Sequence, residues 1–124
     1  MMKATAWMFL LAGAAAFAVS APALAHHSHA MFDHEKLDTV TGTVMNFAYV
    51  NPHGELDVAV EGKKGELVKY WFEMSNLTQM VGRGIRINTF KRGDKITVHF
   101  HPLKDGRLGG SYTSIVAASG HVYE

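Results

Sequence analysis

Four of the chain's eight histidines, His26, His27, His29 and His34, fall within nine residues. A second pair, His99 and His101, brackets one phenylalanine far downstream, and His53 and His121 complete the set. Imidazole is the side chain that ligates late first-row metals at neutral pH, so metal binding is the first chemistry to consider. The chain has no cysteine, which removes thiolate sites, disulfides and cysteine lipidation together. An imidazole-rich set without thiolates favours copper, zinc or nickel over iron–sulfur chemistry. Copper leads, because affinity peaks there in the divalent series.

The residues ahead of the first cluster decide how it is read. Lys3 is followed by a nearly unbroken apolar run from Ala4 to Val19, and Ala23-Leu24-Ala25 forms a small-residue site. That is the pattern of a secretory signal peptide cleaved after Ala25. The run is too short for a comfortable membrane span and no second one follows, so membrane insertion is not expected. The expected layout is a signal peptide over 1–25, a His-rich N-terminal arm over 26–37 and one domain over 38–124. The product is expected to be soluble and exported, most simply to a bacterial periplasm.

Cleavage after Ala25 would give His26 a free α-amine, whose ordinary pKa of about 8 lets it deprotonate and ligate at modest cost. Amine and imidazole of His26 then chelate one ion. His27 offers an alternative through amine, deprotonated amide and imidazole, and cleavage one residue earlier would place it third, a strong Cu(II) and Ni(II) arrangement. His99 and His101 sit at i and i+2 of a strand, on one face and roughly 6.6 Å apart, so both rings can reach one ion between them. Ile96, Val98 and Phe100 claim the inner face, so these histidines look outward, where a folded-back arm could meet them. His29 and the thioether of Met31 lie on that arm. The competing reading is a solvated strand face and an arm that is the one mobile segment of the chain.

Removing 25 of 124 residues leaves 99, enough for one small domain, with 11 Lys+Arg against 11 Asp+Glu. A nucleic-acid binder carries a basic surplus, which this balance lacks, so no nucleic-acid partner is expected. From Asp38 onward the pattern is short strands. Thr39–Val50 is β-branched and aromatic with apolar side chains on both faces toward its end, which suits a bent strand serving two sheets. Leu56, Val58 and Val60 alternate with polar positions, as do Val68, Tyr70, Phe72 and Met74, and the tight Glu61–Glu66 turn makes the two a hairpin. The period then changes: Leu77, Met80 and Val81 predict a short helix with Ser75 or Asn76 as N-cap and Gly82 or Gly84 as its stop. Two more strands follow the turns at Lys91–Asp94 and Asp105-Gly106. Three strands, a helix and two strands is the order of a small five-stranded OB-fold-like barrel, so the fold class is all-β with one short helix.

Between the first two strands, Val50–Gly54 reads VNPHG. Pro52 holds Asn51 extended and presents His53, although a turn whose Asn51 and Gly54 satisfy the backbone is the reading favoured here. Trp71 and Glu73 share the outer face of the third strand, where they could stack on and hydrogen-bond a ligand. Packing of the arm over Trp71 explains it as well and is preferred. No nucleophile elbow, phosphate-binding glycine loop or HExxH pattern exists. A copper enzyme of the oxidative, polysaccharide-cleaving type would need a broad substrate surface that 99 residues barely provide, so catalysis is not expected.

The segments AHHSHAMFD, GTVMNFAYVNPHGEL, WFEM, FKRGDKITV and HPLKDGRLGG together resemble a bacterial family of small exported proteins catalogued as domain of unknown function 6152. The resemblance spans nearly all of the chain after residue 25, and its most specific motifs are the His-His-Ser start and the Asn-Pro-His turn. His29 stands where an aromatic or small residue often follows His-His-Ser, and Tyr49 where a Trp often precedes Asn-Pro-His. The resemblance implies export and a common small domain and supplies no activity. The residues therefore lead to an exported metal-binding protein for copper handling through His26, His27, His29, His99 and His101, with a periplasmic protein as a further partner. The alternative is a periplasmic ligand- or protein-binding module built on Asn51, His53, Trp71 and Glu73.

Overall fold

The computed structural model describes residues 29–124. Six strands and one helix follow in the order β1 (Asp38–Ala48), β2 (Glu55–Glu61), β3 (Leu67–Glu73), α1 (Leu77–Gly82), β4 (Lys95–Pro102), β5 (Gly109–Val116) and β6 (Val122–Tyr123). Neighbours in the sheet run β3-β2-β1-β4-β5-β6, and β3 also pairs with β5. That parallel pairing, Trp71 to Gly109 through Glu73 to Ser111, joins the ends of the series and closes β1 to β5 into a barrel. The order expected from the sequence is the order found. The two-residue β6, paired to Ile115 and Val116, is an addition to it.

β1 earns its length by serving both sides. Residues 38–43 pair with β4 and residues 43–48 with β2. A bulge between Val44 and Asn46 bends the strand there and explains why its apolar residues occupy both faces. Along β2, β3 and β4 the period-2 alternation is obeyed: Leu56, Val58, Phe72, Ile96, Val98 and Phe100 are all buried. Phe72 and Phe100 meet edge to face at 4.9 Å between centroids in the middle of the core. Side chains of this size, fully buried, contribute about 1.5–3 kcal/mol each.

The helix begins where a polar cap follows β3. Asn76 Oδ1 accepts from the Gln79 amide at 2.9 Å, satisfying one of the helix's free N–H groups. Met80 plugs the barrel end, whereas Val81, expected on the same stripe, is exposed. A six-residue helix has room for one inward anchor, and the second is Ile85, just past its end, fully buried with its amide bonded to the Met80 carbonyl at 2.8 Å. Gly84, at φ +81°, makes the left-handed step between them. Among the described residues no helix is long and apolar enough to cross a membrane.

Within residues 29–37 the arm is docked, which corrects the expectation of a mobile segment. Phe32 forms an antiparallel bridge to Leu103, flanked by Asp33 N–H to Pro102 O at 2.8 Å and Lys104 N–H to Met31 O at 2.9 Å. Its ring is 1 % exposed and lies nearly parallel to Trp71, 6.4 Å between centroids. The arm thus continues the ladder beyond the end of β4, and an apolar anchor fixes it there.

Candidate functional site

Docking of Phe32 carries the neighbouring imidazoles onto the outer face of β4. His34 stacks on His29 at 4.3 Å and meets His101 edge-on at 5.0 Å, centroid to centroid. The hydrogen bonds of these rings determine which nitrogen carries the proton. His101 Nδ1 lies 2.6 Å from the Lys36 carbonyl and His34 Nε2 lies 2.9 Å from the His29 carbonyl. A carbonyl oxygen only accepts, so both nitrogens are N–H donors. In the neutral rings the lone pairs are therefore on His101 Nε2 and His34 Nδ1, each oriented by a backbone acceptor on the opposite nitrogen. That is the support metal-bound imidazoles usually have.

His99, two residues from His101, has its own partner. It pairs across the ladder with Thr39, and its Nδ1 lies 2.8 Å from Thr39 Oγ1. The ring in contact with His101 is thus His34. The sequence places His34 in the N-terminal cluster but does not mark it as the neighbour of His101, because that position depends on how the chain turns between Phe32 and Asp38. His26 and His27 lie outside the described residues. Among the described residues no three His, Asp or Glu side chains are grouped closely enough to hold a metal ion.

On the other side of His29 lies a cleft of about 310 Å³, lined by His29, His53, Glu73, Ser75, Gln79 and Arg83 among others. His53 Nδ1 stands 3.5 Å from Glu73 Oε1, with the Glu73 side chain 13 % exposed. Burial pushes the Glu73 carboxyl above its ordinary value, while the His53 and His29 imidazoles pull it back and Glu55 adds to the rise. Asn51, beside His53 in sequence, is engaged in the fold: its Oδ1 accepts from the Leu77 amide at 2.9 Å. The face of Trp71 is covered by Phe32. Of the four residues read as a ligand site, His53 and Glu73 come together in the cleft, whereas Asn51 and Trp71 serve helix and arm.

The raised carboxyl sets a pH dependence. A folded pKa above the unfolded value of 4.5 means that native Glu73 holds its proton more tightly than the unfolded chain does. Its contribution to stability is complete below that value and is lost as pH rises through the folded pKa. Glu73→Gln removes this loss, so the melting temperature of the variant relative to wild type should climb as pH rises from the unfolded value of 4.5 through the raised folded pKa. A difference that stays flat over that range would show that Glu73 titrates alike in both states.

A closed five-strand barrel with its helix between β3 and β4 and a histidine-bearing arm laid over β4 defines a small OB-fold-like protein. A family model described as "Family of unknown function (DUF6152)" matches residues 14–112, and the chain belongs to that family. No curated protein and no solved structure matches the chain.

Proposed function

We propose that this is an exported periplasmic protein that binds a transition metal, copper first and zinc or nickel after it, and that its role is metal handling by buffering, delivery or sensing. The processed N-terminus, His26 with His27 or His29, supplies the chelating amine and imidazole. His34 and His101 supply two further nitrogens, and His99 stands on the same strand face. The observation that carries this reading is the pair of backbone-oriented rings, His34 and His101, 5.0 Å apart and close to His29, three residues from the expected cleavage site. Two imidazoles alone bind weakly. Two that are already aimed, with an amine chelate on the same arm, meet the coordination number and ligand type that Cu(II) prefers.

The test is native mass spectrometry of the protein processed by its own signal peptidase, with one equivalent of Cu(II). A mass beginning at His26 with one retained copper is expected. The double variant His34→Gln, His101→Gln should bind at least about 100-fold more weakly, since loss of an outer-shell partner alone typically costs 10–100-fold. The metal should also raise the melting temperature, because a ligand of the native state stabilises it. An apo mass indifferent to copper, together with an unchanged melting temperature, would sink the reading.

A further inference from the structure

Arg83, the C-cap of α1, is held in an unusual way for a surface arginine. Its Nη1 donates to Tyr112 OH at 2.6 Å and to Ser75 Oγ at 2.9 Å, and its guanidinium carbon lies 5.6 Å over the Tyr112 ring. No carboxylate is within ion-pair distance of it among the described residues. One nitrogen is thus committed to neutral hydroxyls that fix the plane of the fork, and the other N–H groups keep their charge unanswered. Such a fork matches a carboxylate in a bidentate way. Glu73, with His53 beside it, lines the same cleft, as do Gln79 and Ser111. The cleft therefore presents a fixed cation and a sheltered anion to one small space, with neutral donors and acceptors between.

We propose that this cleft binds a small zwitterion of the α-amino acid type, its carboxylate on Arg83 and its ammonium on Glu73. The volume of about 310 Å³ is at the small end of ligand sites, which suits a molecule of that size. An anion alone would satisfy Arg83 and bring a second negative charge to Glu73. A cation alone would satisfy Glu73 and face the guanidinium. A molecule carrying both charges on groups bonded to one carbon answers both, which is how complementary potentials select a partner. The residues that hold the carboxylate end, Arg83, Ser75 and Tyr112, are poor copper ligands beside imidazole, while His29 borders both this cleft and the metal-binding arm, so the site is tested on metal-free protein.

The experiment is amide-resolved NMR titration of the full processed protein, stripped of metal on a chelating resin, with glycine, acetate and methylamine as separate probes. Glycine should shift the amides of Glu73, Ser75, Arg83 and Ser111 in a saturable way, and acetate and methylamine should each bind at least about ten-fold more weakly. Arg83→Gln should abolish the glycine response. Arg83→Lys, which keeps the charge and loses the fork, should weaken it, with the rest of the spectrum unmoved as a check on folding. Glu73→Gln should erase the preference for glycine over acetate. Acetate binding as well as glycine would overturn the zwitterion assignment in favour of an anion site, and no saturable shift with any probe would overturn the site itself.

Discussion

Gly109→Ala is expected to destabilise the protein by about 3 kcal/mol or more, because it places a methyl group on the seam that closes the barrel. Gly109 pairs with Trp71 across the parallel β3–β5 ladder, at φ +127°. A Cβ there would overlap the Trp71 carbonyl oxygen and stand 2.9 Å from the Trp71 nitrogen, and backbone cannot swing aside as a long side chain can. Two costs add: strain at a φ that only glycine adopts readily, and parting of strands whose next pairs are Phe72 with Gly110 and Glu73 with Ser111. Gly106 separates them. It has φ +81° with open space around it, so Gly106→Ala bears the strain alone and should cost about 1–2 kcal/mol. Denaturant unfolding of both variants decides the matter, and equal midpoints would mean that the seam gives way without penalty.

The barrel was readable from the sequence because β2, β3 and β4 each have one wet and one dry side. Leu56, Val58 and Val60, or Ile96, Val98 and Phe100, announce a face by alternation, and a change of period at Leu77 announces the helix. What was not readable depends on where chain ends and loops meet in space. Phe32 lies in a run with no period, so nothing local says that it docks beside Leu103. His34 gains its partner His101 from 67 residues away, whereas the i and i+2 spacing of His99 and His101 suggested a pair that the ladder divides between Thr39 and the arm. Arg83 and Tyr112 are brought together by barrel closure, 29 residues apart. Sequence periodicity reports which way a side chain faces, and a site needs to know what faces it.

The same logic makes the arm's anchor the most informative single position for function. Phe32→Ala removes a fully buried ring that stacks on Trp71 beside the backbone bridge to Leu103, a change that typically costs 3–5 kcal/mol in a core that cannot collapse. Here the loss has a ceiling. Once the arm is released, nothing further is lost from the barrel, so the cost cannot exceed the free energy with which residues 29–37 dock. About 3 kcal/mol is expected, which for a domain of this size lowers the melting temperature by roughly 12 °C or more. A truncation beginning at Asp38 should fall to a similar value, since the arm's other exchanges are hydrogen bonds of about 1 kcal/mol net. The functional consequence separates this variant from an ordinary core mutation: with His34 no longer held against His101, copper affinity should drop with stability, while Leu103→Ala, on the barrel side of the same contact, should lower both in the same ratio. A Phe32→Ala protein that melts within about 4 °C of wild type would mean that the arm docks through its backbone pairs alone. One that keeps full copper affinity would mean that the metal is held entirely by the N-terminal residues, and that His34 and His101 are bystanders to it.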